Sequence, residues 1–415
     1  MHDEGNRSVN APRAVARRSF LRESLFGGLA CAIWRPNGAI VAADPIVPSI
    51  LRLAPAVAGQ SSPVITALAI DPQGRYAVAA GDDHAIRWFD LQGKAEPYVD
   101  AVLLEPHEDW VQSLEISRDG GWLGSCGKDG LLQVWRRDEV QGGNWKRVHV
   151  QRVEHALFAI KFVGEHSLVA AGFSNALYRL DLDQMLWSID HESSCSDIRA
   201  VAISDDQRSL AYGGRDGAVR LLELDRVPMV QGRKREVVME VQSHTNRIRG
   251  IVFSSDDTLI YSVGEDRRMV GIDRKSQSIE YQLEVGAGRL MAIERLGDER
   301  YALSGSDNTI RVVEPTRTSL QGRALQVSKT MRETDSLEAR SALVRKLAGR
   351  CKLIGHDGTI AVLRSHGNRL YSGSFDTTIR TWNISDALMQ LDDEGRFVHP
   401  VSARFEDSGA QERIR

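Results

Sequence analysis

Ser174 lies in the run Gly172-Phe173-Ser174-Asn175-Ala176, which approaches the Gly-x-Ser-x-Gly elbow that presents a nucleophilic serine. The last glycine is missing, and the surrounding pattern is a hairpin turn where the elbow needs a strand-to-helix turn. Gly124-Ser125-Cys126-Gly127-Lys128 ends like a phosphate-binding loop, but Trp122 stands in the place of that loop's first glycine. Cys31, Cys126, Cys195 and Cys351 form no Cys-x-x-Cys pair, and no two histidines are spaced to put two ligands on one helical face. Isolated, packed thiols are indicated, with no metal site, no cofactor and no enzyme.

The elements that would position any functional residue are hairpins. In residues 370–382, LYSGSFDTTIRTW, an apolar run meets Gly373-Ser374, a polar turn follows at Phe375-Asp376-Thr377-Thr378, and Ile379, Thr381 and Trp382 complete a second strand. Imperfect copies occupy residues 76–89, 122–135, 168–180, 210–222, 260–272 and 301–313. Their turn residues are Asp83, Asp129, Ser174, Asp216, Asp266, Asp307 and Asp376, spaced by 46, 45, 42, 50, 41 and 69 residues. An alternating strand precedes a copy at residues 65–70, 111–116, 198–203 and 248–253, and a fourth strand is available at 146–153, 236–241 and 278–285. Four antiparallel strands per unit, seven units and no long helix between them imply an all-β fold, a closed seven-bladed β-propeller of four-stranded antiparallel blades. Residues 50–53 have no hairpin of their own and are expected to close the ring as the outer strand of the last blade.

The repeat length, the Gly355-His356 opening and the Trp-terminated third strand resemble the WD40 family. That resemblance implies a buried structural tetrad of His, Ser, Asp and Trp. Matched residue by residue, the seventh blade has His356, Ser372, Asp376 and Trp382, and the second has His107, Ser125, Asp129 and Trp135. The fifth keeps His244, Ser262 and Asp266 with Ile272 for Trp, the first has Phe89 with Trp88 shifted by one, the third loses the Asp, and the fourth and sixth lack both His and Trp. Groups that recur blade after blade are expected to be structural, since an active site would not recur.

The ends of the chain read differently. Within residues 1–43, Arg17-Arg18 precede Ser19-Phe20-Leu21-Arg22, a modestly apolar stretch, Arg35-Pro36 and the small residues Val41-Ala42-Ala43. This resembles a twin-arginine export signal, with Arg17, Arg18, Phe20 and Leu21 as its recognition residues and a cut after Ala43. A basic tail on a cytoplasmic protein is the alternative. A lipid-anchored form cut before Cys31 is another, although Gly28-Leu29-Ala30 lacks the usual leucine. Residues 44–391 are assigned to the propeller and 392–415 to a mostly irregular tail, with a strand conceivable near 396–404. The long sixth interval implies an insertion over about 315–349, with a helix expected from Ser336 to Ala348 on the capping pattern Thr334-Asp335-Ser336-Leu337-Glu338.

A formal charge of -3 gives no electrostatic case for a nucleic-acid partner, and no apolar run is long enough for a transmembrane segment. Aligned to the repeat, the face carrying the turns before the innermost strands would display Trp110, Phe158, Arg199, Arg215, Arg247, Arg249, Arg267 and Phe375. Arginines interleaved with aromatics are the residue types that anchor interfaces. The resemblance and this face imply a non-enzymatic protein-interaction platform, exported to the periplasm or another extracytoplasmic space, monomeric within a complex. A propeller enzyme, or a small-ligand or glycan binder using the central channel or inter-blade pockets, is the alternative function. The three arginines Arg199, Arg247 and Arg249 are expected to be replaceable without unfolding.

Overall fold

The computed structural model describes residues 31–34, 40–43, 48–56, 61–91, 98–99, 102–138, 144–224, 235–286, 288–297, 299–315 and 351–384. The chain divides into two compact units, Met1–Pro45 and Ile46–Arg415. In the first, Cys31–Trp34 pairs antiparallel with Ile40–Ala43, Cys31 opposite Ala43. The expected helix at 336–348, the tail strand near 396–404 and the leader residues Arg17, Arg18, Phe20 and Leu21 lie outside the described residues.

In the second unit the described residues form seven blades; blades 1 to 6 have four antiparallel strands in chain order from the innermost outward, and the last takes its outer strands from earlier in the chain. The innermost strands are Ile65–Ile70, Val111–Ile116, Leu157–Val163, Ile198–Ile203, Ile248–Phe253, Leu290–Arg295 and Ile360–His366, here blades 1 to 7. Each touches the next, and Ile360–His366 touches Ile65–Ile70, so the ring is closed. Closure is made by Ser49–Leu53, which pairs antiparallel with Thr378–Asn383 of blade 7, Leu51 opposite Ile379. Tyr98–Val99 then adds a parallel fifth strand outside it, a feature with no signature in the sequence pattern.

A lone blade cannot bury both its faces, and the cores accordingly lie between blades. Seven apolar clusters fill seven interfaces. One joins Val78 and Ile86 of blade 1 to Leu114, Leu123 and Trp135 of blade 2, and another joins Leu53, Val362, Tyr371 and Ile379 of blade 7 to Ile65, Leu68 and Phe89 of blade 1. The last of these makes closure an apolar event as well as a strand pairing.

Two local devices recur. Each turn Asp accepts a hydrogen bond from the backbone N–H two residues on, as in Asp129 with Leu131 at 2.9 Å and Asp376 with Thr378 at 3.0 Å, and Ser174 does the same for Ala176 at 3.2 Å. This side-chain turn holds the following residue at positive φ, whether it is Gly130, Gly217, His84, Arg267, Asn308 or Thr377. The second device is a bulge: in every blade the pairing of the innermost strand shifts register around its second residue. The bulged turn brings a carbonyl so close to the end of the second strand that a Cβ on Gly214 or Gly305 would sit 1.9 Å from it. Only glycine fits there.

Candidate functional site

The bulge decides what the turn face displays. It leaves the second residue of each innermost strand half-buried at the channel mouth: Thr66, Gln112, Phe158, Arg199, Arg249, Met291 and Ala361. A backbone hydrogen bond of 2.8 to 3.0 Å then ties the residue before that strand to the start of the neighbouring turn, pairing Trp110 with Lys128, Ala156 with Phe173, Asp197 with Arg215, Arg247 with Glu265, Arg289 with Ser306 and Thr359 with Phe375.

Of the eight residues expected on this face, four come together on blades 3, 4 and 5. The Arg199 guanidinium lies over the Phe158 ring, 3.4 Å from its centroid, and is held by Asp197. Arg247 bridges Asp197 and Glu265, each at 3.3 Å. Arg249 approaches Glu265 only at 3.8 Å and makes no side-chain hydrogen bond among the described residues; its side chain is 24% exposed. Burial, with repulsion from Arg199 and Arg247, depresses its pKa. The other four are dispersed. Trp110 on blade 2 carries the Lys128 ammonium 3.7 Å from its ring centroid, Arg267 pairs with Glu284 at 3.3 Å, Arg215 is exposed on its turn, and Phe375 is exposed on blade 7.

The acids and one arginine of this cluster escaped the sequence analysis. Asp197 is fully buried, Glu265 nearly so, and Arg289 joins Glu265 at 3.6 Å. The alignment that placed Arg247 also places Asp197 and Arg289, since all three precede an innermost strand; reading that column for both signs would have found them. The geometry bears on the expectation that Arg199, Arg247 and Arg249 can be replaced together without unfolding, because the replacements must keep donors near Asp197. Replacement by residues without donors would leave Asp197 buried with neither a cation nor a hydrogen bond from Arg199 or Arg247, at a cost in stability.

The opposite mouth is crossed by the protein itself. Arg295 of blade 6 donates to Asp205 of blade 4 at 2.6 Å, and Arg118 of blade 2 donates to the Asp205 carbonyl at 3.2 Å. Along the channel, Lys161 donates to Glu115 at 2.7 Å, Arg364 lies 3.9 Å from Glu115, and Glu294 accepts from the backbone and hydroxyl of Ser365 at 2.8 Å. Burial pushes the Glu294 carboxyl up against the pull of Arg364. These ionisable groups satisfy one another, and among the described residues no cluster of His, Cys, Asp or Glu could hold a metal. A groove of about 460 Å³ between blades 4 and 5, lined by residues such as Met239, Thr258, Arg274 and Gln277, carries no aromatic side chain.

The repeated histidines bind inward. In blade 7 the Trp382 indole donates to Ser372 Oγ at 2.9 Å, His356 Nε2 lies 2.7 Å from that hydroxyl, and His356 Nδ1 lies 2.7 Å from Asp376. Blade 2 has His107 with Ser125 at 2.6 Å and with Asp129 at 2.9 Å, but Trp135 donates to Glu105 at 3.0 Å and so does not join the chain. Blade 5 makes the same histidine contacts with Ser262 and Asp266, both at 2.9 Å. Where the histidine is missing, the turn Asp takes an arginine four residues on: Asp83 with Arg87, Asp216 with Arg220, Asp307 with Arg311. That Asp-x-x-x-Arg spacing was visible in the sequence.

The profile of the family described as WD domain, G-beta repeat, matches residues 54–90, 101–136, 235–270 and 349–383. These are blades 1, 2, 5 and 7, and they include every blade that keeps the histidine. The chain is similar to the periodic tryptophan protein 2 homolog of Caenorhabditis elegans, 21% identical over 75% of this chain and 39% of that protein. It is also similar to U3 small nucleolar RNA-associated protein 13 of Saccharomyces cerevisiae, 28% identical over 29% of this chain and 15% of that protein. A third relative is Elongator complex protein 2 of Danio rerio, 26% identical over 40% of this chain and 21% of that protein. The matches span well under half the length of each of these relatives.

Proposed function

We propose that this seven-bladed propeller of WD40 repeats is a non-enzymatic platform that binds a protein partner on the turn face of blades 3 to 5. The observation that carries the reading is Arg249, whose side chain is 24% exposed and whose guanidinium, with five donors, makes no hydrogen bond among the described residues, beside an Arg199 stacked on Phe158. Donors that the protein leaves uncommitted at the surface are available to a ligand of opposite charge. Two relatives support the class of function, one being named for a complex and the other for association with a small nucleolar RNA.

The test is affinity capture with the propeller and with an Arg199→Gln, Arg247→Gln, Arg249→Gln variant, glutamine keeping donors near Asp197. The expected result is a partner retained by the wild type and lost by a variant that still melts cooperatively. Equal capture by both proteins moves the interface off this face.

Export belongs to the same proposal and is supported by the Arg17-Arg18, Phe20-Leu21 pattern. The buried free thiols of Cys126 and Cys195 suit folding in a reducing compartment before transport. Replacing Arg17 and Arg18 by Lys is expected to trap folded precursor in the cytoplasm. Mass spectrometry of the N-terminus in cell fractions checks this: a chain beginning at Asp44 outside the cytoplasm supports export, and an intact leader on a cytoplasmic protein overturns it.

A further inference from the structure

We propose that the cluster at the channel mouth recognises a phosphomonoester on the partner, a phosphorylated serine or threonine held by Arg249 with help from Arg199 and Arg247. This rests on the platform reading above and specifies what the platform reads.

The charge count selects the ligand. Four guanidiniums, of Arg199, Arg247, Arg249 and Arg289, surround two carboxylates, of Asp197 and Glu265, so two positive charges stay uncompensated at one spot. A side-chain carboxylate of a partner would neutralise one of them, whereas a phosphomonoester brings about -1.5 to -2 and three strong acceptor oxygens. A cationic ligand finds no open acceptor, because Asp197 already serves Arg199 and Arg247 while Glu265 serves Arg247, Arg249 and Arg289.

The arginines have distinct parts. Arg199 is fixed in plane by Phe158 beneath it and by Asp197 beside it, and Arg247 is fixed by two carboxylates, so both present their remaining edges without a further entropy cost. Arg249 and Arg289 make no side-chain hydrogen bond among the described residues, and of the two Arg249 is the more buried, 24% against 68% exposed, with its planar donors available for a bidentate contact. The cluster is charged and positioned for an anion.

A peptide fits better than a nucleic-acid backbone. The positive charge sits at a single point on three adjacent blades of a chain whose net charge is -3, where a nucleic acid would track along a basic groove. Phe158 has one face covered by Arg199 and cannot stack a base on that side. Phe173, 53% exposed on the turn of blade 3, offers an apolar rest for a residue flanking the phosphate.

The test uses three immobilised degenerate peptide pools with a fixed central phosphoserine, serine or glutamate, together with a single-stranded RNA pool. Wild-type protein is expected to be retained by the phosphoserine pool alone. Arg249→Gln should weaken that retention by about tenfold or more, as loss of a charge-assisted contact does, with an unchanged melting temperature. Arg249→Lys should restore it in part, keeping the charge without the fork. Equal retention by the serine or glutamate pool overturns the phosphate assignment, as does an unaffected Arg249→Gln variant or preferential retention by RNA. Retention by none of the pools also overturns it. Phosphatase treatment separates this inference from the reading beneath it. If a captured partner needs the arginines but survives phosphatase, the platform stands and the phosphate falls; if it needs neither, both fall.

Discussion

Asp129 shows how one buried carboxylate can be held charged in the middle of a β-turn. Burial works against its charge, but hydrogen bonds from His107 and from the backbone of Leu131 and Glu108 outweigh that cost and hold its pKa below the ordinary 3.8; Asp266 and Asp376 shift the same way. Asp129→Ala is expected to cost about 2–4 kcal/mol, since it leaves His107 Nδ1 and two backbone donors without a partner. The pH dependence follows from the sign of the shift. A depressed carboxylate stabilises fully above its unfolded-state value and loses that contribution as the pH falls through its folded-state value. Denaturant midpoints should therefore drop steeply for the wild type below about pH 4, and less steeply for Asp129→Ala. Parallel pH profiles for the two proteins would show that this carboxylate is not the linked group. At this scale the histidine contacts were legible because three residue types recur in register with the repeat. That Trp135 leaves the chain for Glu105 was not, because it depends on the reach of a single side chain outside the repeated positions.

Blades without the histidine keep the turn by a different pairing, and this is where the sequence pattern misleads. The missing His in blades 4 and 6 reads as a departure from the family, yet those blades and blade 1 each carry an arginine four residues after the turn Asp, with Arg87 1%, Arg220 3% and Arg311 7% exposed. A third-strand arginine at that spacing reaches back to the carboxylate and takes over the role that the histidine of the preceding loop has in the other blades. Removing one partner of such a buried pair is far worse than removing both. Arg87→Ala is expected to cost about 3–5 kcal/mol, while Asp83→Ala with Arg87→Met should recover most of it. Urea denaturation of the two variants decides: a double variant as unstable as the single one would mean the pair is not an independent unit. The bulge, in contrast, has almost no sequence signature beyond a glycine at the end of the second strand. Because it sets which side chains meet at the channel mouth, the positions of Arg199, Arg249 and Asp197 could be aligned from sequence, while the ion pairs that Asp197 and Glu265 make with the arginines could not be inferred.

At the scale of the whole ring, period and closure were legible in the sequence, since seven hairpins in register and an unpaired apolar strand at residues 50–53 leave few other topologies. What was not legible is how the seam is strengthened. Leu53 is fully buried in the cluster between blades 7 and 1, and Tyr98–Val99, which follows the third strand of blade 1, crosses to blade 7 as a parallel fifth strand on Ser49–Leu53. The seam is thus held by an antiparallel pairing, an apolar interface and a strand from the first blade. Removing residues 50–56 takes away the first of these and the partner of the last, and exposes the edge of Thr378–Asn383, whose free backbone groups invite pairing with another chain. The truncated protein should aggregate in size-exclusion chromatography and melt at lower temperature than the wild type. Replacing only Leu53 by Ala keeps the strand and removes its buried anchor, and is expected to cost about 2–5 kcal/mol while leaving the protein monomeric. If the truncated ring stays monomeric with an unchanged melting temperature, closure is supplied by another segment, and the apolar cluster of Leu53, Ile65 and Ile379 is not what holds the two ends together.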